Sequence, residues 1–169
     1  MKKILIIGGN SSIGLSIIKK FVDKGDYVIT TYNDKANRKN LLEENIQSIH
    51  LDLENEKSID KFTKKLYKIT NKIDTAIFLS SILPGKKFTQ YDDNDIDKVM
   101  AINFTGQVKL LHRLIKIFKK NSSLLMFSSI SAEKGSYDPI YSASKGALSS
   151  FVKSIIPHLP KEVRINTIA

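Results

Sequence analysis

At 169 residues, 41% of them hydrophobic, the chain is long enough for one domain with a substantial core and too short for two. It has no cysteine, which excludes a disulfide framework and a thiolate metal site and fits a reducing cytoplasm. The formal charge of +10 would suit nucleic acid, but Lys19, Lys20, Lys61, Lys64, Lys65, Lys116, Lys119 and Lys120 are scattered over predicted helices and turns. Neither nucleic acid nor a membrane is expected as a partner.

The chain opens with Met1-Lys2-Lys3 and ILII, which imitates an export signal until GGNSS interrupts the apolar run. Residues 3–7 therefore read as a buried strand. The stretch IGGNSSIG (7–14) follows, and a helix over 13–24 opens from it, closed by Gly25. A glycine-rich turn in this place points backbone N–H groups and the positive end of a helix at a pyrophosphate. Gly8 and Gly14 fit the outer positions, the second for close packing of helix on strand; an ordinary tight turn is the plainer alternative.

Next come a strand at 27–31 (YVITT), a polar helix near 35–44, a strand at 47–51 (QSIHL), a helix around 56–70 and a strand at 74–79 (DTAIFL). A loop with Pro84 and Gly85 precedes a long helical stretch from about 93 to 120. In it Ile96, Val99, Met100, Phe104, Val108, Leu111, Leu114, Ile115 and Phe118 recur at helical spacing. A strand at 123–128, a helix over about 140–156 that Pro157 should stop or kink, and a last apolar segment, VRINTIA, complete the chain. Strand and helix alternate throughout, the signature of βαβ units and of an α/β, Rossmann-like doubly wound parallel sheet with helices on both faces. Residues 1–169 read as a single dinucleotide-binding domain.

Ligand crevices in such sheets lie at the carboxyl ends of the strands. There Asp52 could accept a hydrogen bond from an adenine amino group, or could simply cap the following helix. After the second strand, where NAD-preferring folds carry an acid, the chain has Thr31-Tyr32-Asn33 with Lys35 and Arg38 nearby. That suits a 2′-phosphate and hence NADP(H) over NAD(H), although Asp34 argues the other way. In YSASK (141–145) a tyrosine stands four residues ahead of a lysine, either as plain helix neighbours or as an acid–base pair. His50, His112 and His158 are isolated, and no metal is expected.

These features resemble the short-chain dehydrogenase/reductase family, in particular its 3-oxoacyl reductase-like members, over the whole length of the chain. IGGNSSIG is similar to the family's TGxxxGxG loop, with Ile7 for the threonine and Ser12 for the middle glycine. Asn103 in AINFTG matches the active-site asparagine, Ser129 in FSSISA the serine after the fifth strand, with Gly135 six residues on, and Tyr141 with Lys145 the YxxxK pair. VRINTIA is similar to the sixth strand, with Asn166 in its slot. The resemblance implies sheet order 3-2-1-4-5-6 and reversible NAD(P)(H)-dependent reduction of a carbonyl, in a ketone, 3-oxoacyl thioester or sugar-like substrate.

Within that family logic each residue has a role. A free phenol, with pKa about 10, is a poor base at neutral pH, so Lys145 would favour the phenolate of Tyr141 and also hold the nicotinamide ribose. Ser129 would polarise the substrate oxygen, with Ser128 as runner-up, and Asn103 would anchor a water that relays protons to the lysine. Cofactor contacts are expected from Gly8, Asn10, Ser11, Ser12, Ile13, Gly14, Tyr32, Asn33, Lys35, Arg38, Asp52, Leu53, Ser80, Tyr141 and Lys145. The helices near 93–120 and 140–156 would assemble a homodimer or homotetramer.

The chain departs from the family pattern in three places. Phe78-Leu79-Ser80-Ser81 stands where NNAG is usual, so side-chain hydrogen bonds that steady the sheet centre should be lost or replaced. Ser12 adds a Cβ where a pyrophosphate approaches. The family's Pro-Gly turn, substrate-covering helical segment and seventh strand have no counterpart in residues 1–169, which implies a C-terminally incomplete domain. The alternative function is a cofactor-binding but inactive sensor or interaction module.

Overall fold

In the computed structural model, which describes residues 1–34 and 44–169, six strands form a single parallel sheet. They are β1 (Lys3–Ile7), β2 (Tyr27–Tyr32), β3 (Ile46–His50), β4 (Ile73–Phe78), β5 (Phe118–Phe127) and β6 (Arg164–Ile168), in the order β3-β2-β1-β4-β5-β6. β1 takes the centre because its run from Ile4 to Ile7 is apolar on both faces, and all four side chains are fully buried. Leu5 and Ile7 join a core with Phe62, Leu66, Leu110 and Leu148, whereas Ile4 and Ile6 pack with Ile18 and Val28. Burying each such side chain contributes about 1.5–3 kcal/mol before entropy is counted.

One sheet face is covered by α1 (Ser12–Val22), and the other by α2 (Glu56–Ile69), α4 (Gly106–Leu114) and α6 (Pro139–Ile155). α3 (Asp93–Met100) runs into α4 through a π-helical segment, Ala101–Thr105, and α5 (Ser131–Lys134) is a single turn between β5 and α6. Helix starts are capped by side chains: Asn55 accepts from the Ser58 N–H at 3.2 Å, Asp92 from Asp95 at 2.7 Å and Asp138 from Tyr141 at 2.9 Å. Among the described residues no helix is long and apolar enough to cross a membrane.

Two sequence expectations need correction or fall outside view. The helical stretch expected to reach residue 120 ends earlier: α4 stops at Leu114, a 3-10 turn covers Ile115–Ile117, and Phe118 is the first residue of β5, paired with Ile73. A buried strand residue four positions after Leu114, the last apolar residue of α4, fits the helical spacing as well as a helix residue does. The ladder shifts register after this pair, at Asn121 with its φ of 67°, and resumes where Thr75 meets Ser123. The polar helix expected near 35–44 lies almost wholly outside the described residues. α6 does stop short of Pro157, at Ile155, and passes into the 3-10 turn Ile156–His158.

Candidate active site

The glycine turn between β1 and α1 is held by its own chain. Gly8, at φ 87°, donates its N–H to the Thr31 hydroxyl at 2.9 Å. Ser11 Oγ donates to the Gly8 carbonyl at 3.2 Å and accepts from the Gly14 N–H at 3.0 Å, so Ser11 is the helix cap. A Cβ on Gly9 would overlap Thr30 Oγ1, and one on Gly14 would lie 2.6 Å from the Gly9 Cα. Close packing thus requires glycine at 9 as well as at 14, and position 9 was not singled out from the sequence.

This turn borders a cleft of about 260 Å³ at the carboxyl ends of β1 to β4, lined by Gly8, Asn10, Ser11, Asn33, Asp52, Leu53 and Ser80 among others. Gly8 presents no side chain there, and the first residues of α1, Ser12 and Ile13, keep N–H groups that no helical carbonyl fills. Such a helix start with a bare glycine beside it fits a dinucleotide pyrophosphate. The Ser12 and Ile13 side chains do not line the cleft but are exposed on the first turn of α1, which leaves the backbone N–H groups, not the side chains, as what these two positions offer a phosphate. Tyr32 stacks edge-on against His50, ring centroids 5.7 Å apart. Lys35 and Arg38 lie outside the described residues. Asp52 is not the cap of α2: Asn55 is, while Asp52 Oδ1 accepts from the Glu54 N–H at 3.0 Å.

α6 carries the second half of the site. Lys145 is only 2% exposed, its Nζ donates to the Phe127 carbonyl at the end of β5 at 2.8 Å, and it lies 5.6 Å from the centre of the Tyr141 ring. Burial pushes the Lys145 ammonium down from 10.5 to about 8. Tyr141 lines a cavity of about 170 Å³ with Leu83, Gly85, Ser131 and Ser136.

Asn103 does not sit on a solvated helix face, the plain alternative for it: it is fully buried in the π-helical segment. Its Oδ1 accepts from the Ile82 N–H at 2.8 Å, and its Nδ2 donates to the Ile82 carbonyl at 2.9 Å and to Ser144 Oγ at 3.0 Å. The Ser144 hydroxyl in turn donates to the Tyr141 carbonyl at 2.7 Å. Asn103 is therefore a brace between the loop after β4 and α6.

The two serines after β5 divide their tasks. Ser128 Oγ donates to the Lys145 carbonyl at 3.1 Å and pairs with Ser149 Oγ at 2.6 Å, which spends it on holding α6. Among the described residues Ser129 Oγ bonds only to its neighbour Ser131, accepting from the N–H and donating to the hydroxyl, both at 3.1 Å. The FLSS segment, where side-chain support was expected to be lost or replaced, is held from outside. Gln107 Nε2 donates to the Ser80 carbonyl at 2.8 Å and to the Asn103 carbonyl at 3.0 Å, and Asn103 holds Ile82.

Asp138, which lines the Tyr141 cavity, and Tyr91, which is bonded to it, are not among the residues expected from the sequence. Asp138, 2% exposed, accepts from the N–H groups of Gly85, Lys86 and Tyr141 and from the Tyr91 hydroxyl. Burial works to raise its carboxyl, but the Tyr141 N–H, the Tyr91 hydroxyl and the Lys86 and Gly85 N–H groups outweigh it and hold the group below the usual range. The Tyr91 hydroxyl is pushed up, by burial first and then by Asp138. The cap role of Asp138 is legible in the sequence, since Asp-Pro ahead of a helical pattern is a helix-start signature.

Residues 7–169 match the family model described as enoyl-(acyl carrier protein) reductase. The chain is 27% identical over 176 residues to the 3-oxoacyl-(acyl-carrier-protein) reductase of Aquifex aeolicus, across 98% of this chain and 71% of that protein. It is 31% identical over 156 residues to the protein of the same name from Buchnera aphidicola, across 89% of this chain and 64% of that protein. Its fold matches the crystal structure of a short-chain dehydrogenase/reductase, glucose/ribitol dehydrogenase, from Brucella melitensis, with a TM-score of 0.89 at 24% identity over 98% of this chain and 73% of that one.

Proposed function

The chain belongs to the short-chain dehydrogenase/reductase family of NAD(P)-dependent oxidoreductases, and on that premise we propose that it reduces a ketone to a secondary alcohol with NADPH, Tyr141 delivering the proton. One observation carries this reading: a buried lysine ammonium 5.6 Å from the ring of a tyrosine that lines a cavity at the carboxyl ends of the strands. When bound, the reduced nicotinamide supplies the hydride.

The Tyr141 hydroxyl holds the substrate oxygen by a hydrogen bond and gives up its proton as negative charge develops there. Lys145, held by the Phe127 carbonyl, stabilises the resulting phenolate, and with little water around it the attraction is strong. Its remaining donors would hold the ribose hydroxyls of the nicotinamide cofactor. Ser129 exchanges its bond with Ser131 for a bond to the same substrate oxygen, a second donor aimed at the developing charge. Asn103 keeps α6, and so the pair on it, in register with the loop after β4.

NADPH rather than NADH is favoured because Asn33, not a carboxylate, borders the cleft just past the end of β2. A 3-oxoacyl thioester is the first substrate to try, given the names of the two curated relatives. Val108, Leu111 and Ile115 of the α4 region and Phe151 and Ile155 of α6, with His112 and His158, line a surface cavity of about 280 Å³, and this mostly apolar face favours assembly of a homodimer or homotetramer through these helices. The test is turnover of a ketone panel that includes 3-oxoacyl thioesters, with each cofactor. Consumption of NADPH at least 10 times faster than of NADH is expected; no turnover of any member with either cofactor would overturn the proposal.

A further inference from the structure

We propose that Asp138 and Tyr91 are positioning residues for this reaction, locking the loop at 83–87, one wall of the cavity, to the first turn of α6 and so fixing the Tyr141 hydroxyl against the substrate carbonyl. The proposal rests on the reading of Tyr141 as the proton donor.

A helix cap needs a single bond, and the Tyr141 N–H at 2.9 Å supplies it. Asp138 does much more. A carboxylate offers about four acceptor sites, and the remaining ones go to a segment 53 residues earlier in the chain: the Gly85 N–H at 2.9 Å and the Lys86 N–H at 3.4 Å. The Tyr91 hydroxyl reaches both carboxylate oxygens, at 2.8 and 2.7 Å. A buried charge is costly unless it is satisfied in this way.

A second tether closes the ring. The Lys86 ammonium pairs with Asp95 in α3 and stands 5.8 Å from the centre of the Tyr91 ring. The loop is therefore pinned to α3 on one side and to α6 on the other, with Tyr91 between. Leu83, Gly85, Asp138 and Tyr141 line the same cavity, so the lock sets the separation of its wall from the reacting hydroxyl. A misplacement of about 1 Å in such a site can cost roughly 100-fold in rate. Phenylalanine at position 91 would fill the same space and remove only the hydroxyl.

The test compares the parent protein, Tyr91→Phe, Asp138→Asn and the double variant. Asparagine still caps the helix but keeps one acceptor oxygen in place of two. Amide hydrogen exchange at Gly85, Lys86 and Tyr141, measured without substrate, reads the lock directly; kcat, KM and the NADPH Kd read its consequence. Expected in Tyr91→Phe are faster exchange at all three amides and a fall of roughly 10- to 100-fold in kcat/KM, with the NADPH Kd unchanged. The double variant should lose no more than the worse single one, as for residues acting as a unit.

Unchanged exchange in Tyr91→Phe would overturn the proposal, and so would parent kcat and KM, or a loss that tracks a weaker NADPH Kd. Should Tyr141→Phe turn over as fast as the parent, the reading of Tyr141 fails, and the exchange data alone then uphold or refute the lock.

Discussion

Lys145 Nζ lies 5.6 Å from the centre of the Tyr141 ring and donates to the Phe127 carbonyl at 2.8 Å. Burial in this position lowers the lysine to about 8, against 10.5 in water. The unfolded chain keeps the proton up to about pH 10.5 and the folded chain only to about pH 8, so between these values the unfolded state binds more protons. Stability therefore gains from rising pH in that window, by about 3 kcal/mol in total from this group. Lys145→Met removes the dependence. Urea unfolding of both proteins at pH 7.5 and pH 10 should show the parent gaining on the variant at the higher pH.

Asp138 titrates in the opposite sense. Its folded pKa lies below the ordinary carboxylate value, so the stability it adds is complete above about pH 4 and is lost as the pH falls through the folded value. Asp138→Ala, which also deprives α6 of its cap, should cost about 2 kcal/mol at pH 7. The gap between parent and variant in urea midpoints should narrow on acidification below pH 4; a constant gap would count against the charged, hydrogen-bonded carboxylate.

Gly14→Ala places a Cβ 2.6 Å from Gly9 Cα and equally close to the Gly9 carbonyl. The atoms met are Gly9 backbone, which cannot yield cheaply, and a loss of about 1–3 kcal/mol is expected. The same displacement tilts the first turn of α1, so NADPH binding by calorimetry should weaken by at least 10-fold. Parent-like affinity in a folded variant would show that the helix start does not hold the cofactor.

The sheet was legible in the sequence because its strands hold short segments rich in apolar and β-branched residues between turn residues, KILII before GGN being the clearest. Phe118 was misplaced because helix and strand share the spacing at that junction. The candidate site is less open to sequence reading. Tyr141, Lys145, Ser129 and Asn103 follow a motif order, but the partners that position them are distant in the chain: Gln107 reaches Ser80 across 27 residues, Asn103 reaches Ser144 across 41, and Asp138 reaches Gly85 across 53. Polar side chains at such separations carry no periodicity. Only Asp138, with Pro139 behind it, left a local trace.

Asn103 supports this order from within. Asn103→Leu strands the Ile82 N–H and carbonyl and frees Ser144, which should destabilise the protein by about 2–4 kcal/mol and slow turnover before it affects NADPH binding. Thermal melting and calorimetry on the same preparation separate the two effects. A variant as stable as the parent would contradict the brace.

The most direct measurement is turnover of a 3-oxoacyl thioester with NADPH by Tyr141→Phe, set beside the NADPH Kd of the same preparation. Loss of roughly 100- to 10,000-fold in kcat with an unchanged Kd is the expected result, since only the proton donor is removed. Turnover at the parent rate would contradict the assignment of Tyr141 as the group that delivers the proton.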